Sequence, residues 1–397
     1  MNLGIPKEIM GSERRVAATP ETVAEYRKLG FEVLVQESAG LGIYASDEQY
    51  REAGAEIVSG PEEVYGRSDV VLKVKQPMED SVTGNHEVDL MKPGATIIAF
   101  LHPATPSNHD LVKRLAKKRA TSYTLDSIPR TISHAQPMDA LTSMSTVTGY
   151  RSVLLAATAF SRFVPVIGTA VGANPPARFL ILGAGVVGLQ AIATAKRLGG
   201  AMQVVDIRAE AREQAGTLGA KAVGFEVPDG LALGEGGYSQ ALPAEWLQKE
   251  RDALEPLLGD TDIVICSALV PGERAPILID DSMVRGMKPG SIIVDVSVDQ
   301  GGNCSLTRAG EVITVDDVVI NGIANIPGGL PVDATRLFAE NILNAVRHLF
   351  PTGPGTPAMA DEIARSMLVT HDGGIVHAGT LKAMDEVGSD NLAETSA

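Results

Sequence analysis

Residues 178–188, with the sequence RFLILGAGVVG, are the most informative stretch of this chain about its fold. An apolar run leads into Gly183, Gly185 and Gly188 in the spacing G-x-G-x-x-G, and a helical pattern follows. This order predicts a buried parallel strand, a tight turn, and a helix whose N-terminus faces a pyrophosphate. Gly183 permits the turn, Gly185 lets the backbone approach the pyrophosphate, and Gly188 lets helix and strand pack closely.

The next apolar run ends at Asp206, 18 residues after Gly188. An acidic residue at this position holds the ribose hydroxyls of NAD, and its charge repels the 2′-phosphate of NADP. The motif and its acid together predict NAD(H) as the cofactor. Arg208 either weakens the exclusion of NADP slightly or stacks on the adenine. The structural alternative is a glycine-rich turn that binds no ligand.

Short apolar runs alternate with helical stretches along the whole chain, as parallel strands do in an α/β fold. One strand–helix–turn–strand unit occurs twice, because residues 68–101 and 261–297 share an apolar strand and a later MKPG turn. We therefore predict an α/β protein with two Rossmann-like lobes of parallel strands and an NAD cleft between them. The predicted strands include Phe31–Gln36, Asp69–Val74, Thr96–Leu101, Arg178–Leu182, Met202–Asp206, Asp262–Cys266 and Ser291–Val296.

The order of the predicted helices indicates that the first lobe is formed by two separate segments of the chain. A helical stretch at 139–163 connects them, and a second helix at 333–349, capped by Asp333, returns to the first lobe. Residues 1–138 and 327–397 then form a substrate-side lobe, and residues 139–326 form the NAD-binding lobe with the connecting helix.

Composition excludes several classes of protein. The 397 residues include 34 basic and 49 acidic side chains, and the net charge of −15 argues against nucleic acid and anionic membranes as partners. Two cysteines form no disulfide framework, which favours a reducing cytoplasm. The first residues lack a signal-peptide pattern, and the longest apolar stretch is interrupted at Ser161 and Arg162. We expect a cytoplasmic chain without a membrane span or a metal site.

Four polar residues fall near predicted strand ends, where ligands bind in open parallel sheets. Arg15 and Lys75 are candidates for holding a carboxylate and a carbonyl, and His102 is a candidate for moving a proton. Asp299 follows a strand of the other lobe and would orient His102 or assist the proton transfer. Each residue also has a purely structural alternative: Arg15 and Lys75 as surface charges, and His102 as a core histidine.

Two loops are further candidates. Residues 129–150 hold Gln136, Asp139 and Ser143 before the connecting helix, where they either cap that helix or form a hinge loop with Gln136 over the nicotinamide. Residues 234–239, GEGGYS, form either a plain surface loop or a lid that carries Tyr238 onto the bound nucleotide.

Several stretches together carry a resemblance to a known family. They are GIPKE at 4–8, RVAATP at 15–20, LKVKQP at 72–77, residues 129–150, ILGAGVVGLQAIATAKRLG at 181–199, the GEGGY loop, ALVPGERAP at 268–276 and GGNC at 301–304. With these motifs nearly the whole chain resembles the alanine dehydrogenase / pyridine nucleotide transhydrogenase family. Residues 135–141, AQPMDAL, and the GGY loop are most similar to the NAD(H)-binding part of the proton-translocating transhydrogenase α subunit.

The resemblance implies both a reaction and its residues. In transhydrogenases of this family, hydride passes from NADH to NADP on a partner subunit, and a membrane domain couples the transfer to proton movement. A homodimer, peripheral to the membrane through that partner, is also implied. The NAD(H)-binding residues implied by the resemblance or by the glycine motif are Arg130, Gln136, Asp139, Ser143, Gly183, Gly185, Val187, Gly188, Asp206, Arg208, Tyr238, Ala268 and Leu269.

The same resemblance contains a departure. Transhydrogenases of the family usually lack Lys75, His102 and Asp299, whereas alanine dehydrogenases have them, with Arg15, as the substrate-binding and acid/base set. We favour a transhydrogenase α-subunit-like component that binds NAD(H). The alternatives are a stand-alone NAD-dependent amino-acid dehydrogenase, acting on a small 2-oxo or 2-amino acid, and a non-catalytic NAD sensor.

Overall fold

The computed structural model describes residues 1–234, 239–270 and 274–385. Its strands are β1 (Asn2–Ile5), β2 (Glu32–Gln36), β3 (Ala55–Val58), β4 (Val70–Leu72), β5 (Thr96–Ala99), β6 (Thr121–Thr124), β7 (Ile167–Thr169), β8 (Gly172–Asn174), β9 (Arg178–Leu182), β10 (Ala201–Val205), β11 (Lys221–Ala222), β12 (Ile263–Cys266), β13 (Ile292–Asp295), β14 (Val312–Val315), β15 (Val318–Asn321), β16 (Leu368–His371) and β17 (Gly374–Ile375).

The helices lie mainly between consecutive strands, as expected for an α/β chain. They are α1 (Pro20–Lys28), α2 (Asp47–Glu52), α3 (Pro61–Arg67), α4 (Glu87–Leu90), α5 (His109–Lys117), α6 (Ala140–Ala159), α7 (Val186–Arg197), α8 (Ala209–Thr217), α9 (Asp229–Ala232), α10 (Ala244–Leu258), α11 (Asp281–Arg285), α12 (Pro331–Leu349) and α13 (Glu362–Met367). Residues 378–385 are also helical.

The chain divides into two compact units. The first unit contains Met1–Met144 and the chain from Gly328 onward, and the second contains Ser145–Pro327. The first unit is built on an eight-stranded sheet in the order β17-β16-β6-β5-β4-β1-β2-β3. Six of these strands, β1 to β6, are parallel, and β16 pairs antiparallel with β6. Counted from β3, the parallel strands follow the Rossmann order 3-2-1-4-5-6.

The second unit repeats this arrangement. Its main sheet has seven strands in the order β11-β10-β9-β12-β13-β15-β14, and within this sheet only β14 runs antiparallel to its neighbour. Strands β7 and β8 form a separate antiparallel pair. The sheet is buried on both faces. Strand β9 illustrates this, because its apolar side chains alternate between two hydrophobic cores. Phe179 and Ile181 pack with α6 and α7 on one face, while Leu180 and Leu182 pack with α10 on the other. The predicted α/β fold with two sheets of mostly parallel strands is confirmed.

Some predicted element ends are wrong. Strand β4 ends at Leu72 rather than at Val74, and the next side chain, Lys73, is buried in an ion-pair cluster. Strand β5 ends at Ala99, and the chain turns at His102, whose φ of 44° is left-handed. Asp333 does not cap α12, since that helix begins with Pro331 at its first position and places Asp333 within its first turn. The connecting helix ends at Ala159.

Candidate functional site

The turn after β9 has the geometry that the glycine motif requires. Gly183 has φ +89°, and a Cβ there would lie 2.8 Å from the Ser267 carbonyl oxygen. A Cβ at Gly188 would lie 1.9 Å from the Gly183 carbonyl oxygen, so only glycine lets α7 start this close to β9. A Cβ at Gly185 would meet no atom of the described residues within 4 Å. The turn is therefore tight on two sides and open at Gly185, where α7 begins.

The Asp206 side chain is hydrogen-bonded to the backbone of this turn. The residue is 7% exposed, and its Oδ2 accepts a hydrogen bond from the Ala184 N–H at 2.7 Å. Arg208 donates to Asp206 three times, from its backbone N–H at 2.8 Å, from Nε at 3.0 Å and from Nη2 at 2.9 Å. Burial opposes the guanidinium charge, but Asp206 outweighs it and raises the pKa of Arg208.

The loop after β12 borders the same turn. Ser267 Oγ lies 3.0 Å from the carbonyl oxygens of Leu182 and Gly183. Ala268 is held by the buried side chain of Asn303, whose Oδ1 accepts from the Ala268 N–H and whose Nδ2 donates to the Ala268 oxygen. Sequence reasoning missed Asn303 as a positioning residue, although it lies in the GGNC stretch. Ala268 and Leu269 are half-buried, and Val187 lies in the first turn of α7.

Asn303 is fixed in turn by a buried carboxylate. Asp295, at the end of β13, is fully buried and accepts from the N–H groups of Asn303 and Cys304 at 2.9 and 3.0 Å. Burial raises the pKa of Asp295. Asp299, predicted in the substrate site, is exposed in a 3₁₀ turn three residues after β13. Tyr238, with the central part of the GEGGYS loop, lies outside the described residues.

The segment before α6 contains the other predicted nucleotide residues. Asp139 accepts hydrogen bonds from the backbone and hydroxyl of Thr142, and Arg130 lies 3.3 Å from its carboxylate. Gln136 is exposed in a 3₁₀ helix, and Ser143 is half-buried in α6. Asp139 therefore helps to start the helix, and Gln136 projects from the segment that precedes it.

Arg15 is not a solvated cation. It is 3% exposed, its Nε donates to Glu13 Oε1 at 2.8 Å, and its Nη1 points to the Met144 sulfur at 3.0 Å. Glu13 also accepts from Nη2, so this carboxylate binds the guanidinium through two of its nitrogens.

Lys75 follows a second buried cation that the sequence did not single out. Lys73 Nζ lies 3.2 Å from Glu8 Oε2 and 2.9 Å from Glu87 Oε1, and all three side chains are at most 4% exposed. Glu8 Oε1 also accepts the Val74 N–H at 2.7 Å, which fixes the backbone next to Lys75. Burial raises the pKa of Glu8. Burial also disfavours the charged form of Lys73, but the carboxylates of Glu8 and Glu87 outweigh this effect and raise the pKa of the lysine.

His102 forms a dyad with a carboxylate that sequence analysis missed. Its Nδ1 lies 2.7 Å from Asp126 Oδ1, and its ring stacks on Phe100 with a centroid distance of 5.8 Å. Asp126 Oδ2 also accepts from the Thr124 hydroxyl and from the His102 N–H at 2.8 Å. Burial opposes the charge of Asp126, but His102 and these hydrogen bonds lower the pKa of that carboxyl.

The dyad presents one ring nitrogen for chemistry. The His102 side chain is 40% exposed, and Nε2 forms no hydrogen bond with any residue that the structure describes. A carboxylate on Nδ1 fixes the tautomer and leaves Nε2 to accept a proton. Asp126 was predictable in principle, since it follows β6 and β6 is the neighbour of β5.

Two negative findings apply to residues 1–234, 239–270 and 274–385. No group of three or more His, Cys, Asp or Glu side chains there could hold a metal ion. None of the helices combines the length and the apolar composition that a membrane span needs.

A glycine turn at the centre of a Rossmann sheet, with an acid at the end of the next strand, defines a dinucleotide-binding protein. The family model "Alanine dehydrogenase/PNT, N-terminal domain" matches residues 4–148, and "Alanine dehydrogenase/PNT, C-terminal domain" matches residues 152–378. The chain belongs to this family of NAD-dependent oxidoreductases. The predicted resemblance is confirmed, and NAD(H) is the cofactor of the family.

Three comparisons show where in the family the chain lies. It is 42% identical to an NAD(P) transhydrogenase subunit alpha chain of Rhodospirillum rubrum over 95% of this chain and 98% of that one. Its fold matches the crystal structure of transhydrogenase from Sinorhizobium meliloti with a TM-score of 0.82 and 35% identity, over 95% of this chain and 100% of that one. Alanine dehydrogenase of Mycolicibacterium smegmatis is 31% identical over 97% of both chains.

Proposed function

We propose that this chain is the NAD(H)-binding, hydride-transferring component of a transhydrogenase. The observation that carries NAD(H) binding is the turn after β9, which is open at Gly185 and bordered by Asp206. The transhydrogenase assignment is supported by the similarity to alpha subunits, which exceeds that to alanine dehydrogenases, 42% against 31% identity.

In this function the chain's residues bind and orient NADH. The N–H groups at the start of α7 face the pyrophosphate, and the Asp206 carboxylate accepts the ribose hydroxyls. We assign further NAD(H) contacts by resemblance to Arg130, Gln136, Asp139, Ser143, Val187, Tyr238, Ala268 and Leu269. The cofactor itself supplies the hydride.

The acceptor in this proposal is NADP on a partner subunit in the membrane. The chain then works on the cytoplasmic side, peripheral to the membrane. The test mixes the purified chain with membranes that contain the NADP-binding subunits of its source and follows NADPH formation from NADH and NADP⁺. We expect transfer only when both components are present. NADPH formation that is equally fast without the chain contradicts the proposal.

A homodimer is the proposed assembly. Around the hairpin β7–β8, Phe163, Val166 and Val171 are 56%, 58% and 98% exposed, which is unusual for apolar side chains that have no partner surface. A second copy of the chain would bury them. Light scattering should give the mass of a dimer, and Val171→Asp should shift it toward the monomer. A wild-type monomer at all concentrations contradicts this assembly.

One observation favours a second candidate function, an amino-acid dehydrogenase. The His102–Asp126 dyad is an acid/base group ready for proton transfer, and a component that only passes hydride between nucleotides needs none. The reaction would convert a 2-oxo acid, ammonium, NADH and one proton into a 2-amino acid, NAD⁺ and water. In this candidate Lys75 and Arg15 hold the substrate carboxylate and carbonyl, His102 handles the proton, and Asp299 assists.

The two candidates differ in a simple assay. Pyruvate and other 2-oxo acids with ammonium are tested as oxidants of NADH by the purified chain alone. If the dehydrogenase exists, His102→Asn should lower turnover by about 10²–10⁴-fold. Asp126→Asn should lower it by about 10–100-fold and change the pH profile, because the ring loses its fixed tautomer. A panel without turnover removes this candidate and leaves the transhydrogenase proposal intact.

A further inference from the structure

The Asp206 carboxylate is already saturated with donors in this structure. A carboxylate has about four acceptor positions on its two oxygens. Four N–H groups occupy them: the backbone N–H groups of Ala184 and Arg208, and the Nε and Nη2 groups of Arg208. Two ribose hydroxyls can therefore bind Asp206 only if two of these donors leave.

The two donors that can leave belong to one side chain. The Ala184 and Arg208 N–H groups are fixed by the glycine turn and by the start of α8. The Arg208 guanidinium is on the outer side, because its side chain is 21% exposed and that of Asp206 is 4% exposed. Nε and Nη2 can thus rotate away while the backbone of Arg208 stays at the carboxylate.

We infer that Arg208 is a displaceable latch on the ribose site and determines nucleotide specificity. The inference rests on the proposed function, since it concerns the same NAD(H) site. Without nucleotide, Arg208 satisfies Asp206. When a ribose diol takes its place, the freed guanidinium stays beside the 2′ position, because its backbone N–H remains 2.8 Å from Asp206 Oδ1.

Arg208 affects the binding of the two nucleotides differently. NADH must displace two hydrogen bonds to a charged group, which weakens its binding. NADPH also displaces them, but it gains a guanidinium next to its 2′-phosphate, which partly cancels the repulsion from Asp206. Arg208 therefore narrows the preference for NADH that Asp206 alone would create.

The experiment compares NADH and NADPH binding by calorimetry in the wild type, Arg208→Ala and Arg208→Gln. For Arg208→Ala we expect tighter NADH binding. The ratio of the NADPH to the NADH dissociation constant should rise at least about tenfold, which corresponds to the free energy of one hydrogen bond to a charged group. Arg208→Gln should give a smaller shift in the same direction, and thermal unfolding of both variants verifies that they fold.

Arg212→Ala is the matched control. Arg212 donates to the carbonyl oxygens of Asp206 and Ile207 and not to the carboxylate, so its removal should leave the ratio unchanged. If Arg208→Ala weakens both nucleotides alike, Arg208 stacks on the adenine and the latch is wrong. Unchanged affinities, or weaker NADH binding alone, also overturn it. A wild type that binds neither nucleotide overturns the proposed function as well.

Discussion

The two sheets place different chemistry at the same topological position. In the second unit, the point between β9 and β12 holds a glycine turn with open space at Gly185. In the first unit, the point between β1 and β4 is filled by the buried Glu8–Lys73–Glu87 cluster. Ligands of open α/β sheets bind where the strand order reverses. Strand order thus creates two possible crevices, and side chains decide which one admits a nucleotide.

The largest expected effect comes from filling the turn of the second unit. Gly188→Ala places a methyl group 1.9 Å from the Gly183 carbonyl oxygen, so we expect a loss of at least about 3 kcal/mol of unfolding free energy and no detectable NADH binding. Urea unfolding and NADH titration measure both.

Gly185→Ala is the matched control, since its new Cβ meets no described atom within 4 Å. It should keep the wild-type stability and still weaken NADH binding, because the methyl group faces the pyrophosphate. If Gly185→Ala binds NADH normally, the nucleotide does not use this turn, and the contrast between the two sheets loses its functional meaning.

The next effect tests the filled crevice of the first unit. Lys73→Met removes the cation between Glu8 and Glu87 and leaves two buried carboxylates without a partner charge. Breaking a buried ion pair in this way costs about 3–5 kcal/mol, and urea unfolding should show that loss. Lys113→Met, at a 63% exposed side chain, is the control and should change little. A stable Lys73→Met protein would mean that the cluster only fills space.

A smaller effect is expected in the pH dependence of the second unit. Burial and the nearby Asp206 raise the pKa of Glu250 to about 7. The stability from this group is complete below its ordinary pKa of 4.5 and is lost as the pH rises through about 7, about 3 kcal/mol in all. Glu250→Gln should flatten the unfolding free energy between about pH 5 and pH 8. The exposed Glu255→Gln should keep the wild-type slope, and an unchanged slope in Glu250→Gln contradicts the assignment.

The smallest effect concerns Glu8. Burial raises the pKa of its carboxyl, so its contribution to stability is lost as the pH rises through that raised value. Glu8→Gln leaves the Lys73–Glu87 pair neutral and keeps an oxygen for the Val74 N–H. Its unfolding free energy at about pH 8 should equal or exceed that of the wild type by about 1 kcal/mol or less. A large loss at that pH would show that the cluster needs both carboxylates.

The sequence predicts the second unit's turn well because backbone geometry leaves no choice of residue. Gly183 has a positive φ, and a Cβ at Gly188 would lie 1.9 Å from the Gly183 carbonyl oxygen, so both positions require glycine. The motif and strand β9 can therefore be identified from the sequence alone. Strand β9 has the predicted bounds, Arg178–Leu182.

The first unit is harder to predict because its contacts join residues far apart in the chain. Lys73 lies in an apolar run that looks like strand, and only the folded chain brings Glu8 and Glu87 to it. Asp126 is 24 residues from His102, and their contact depends on the pairing of β5 with β6. The sequence therefore suggests Asp299 as the support of His102, whereas the carboxylate that contacts the ring lies within the same unit.

The split of the first unit also has a consequence for biosynthesis. Strand β6 pairs with β16, and α12 packs against α1, so the amino-terminal sheet stays incomplete until about residue 375 has left the ribosome. The second unit is continuous in the chain and can fold while its partner sheet still has an open edge at β6. The second unit, with its nucleotide turn, can therefore complete its fold during translation before the sheet of the first unit is closed.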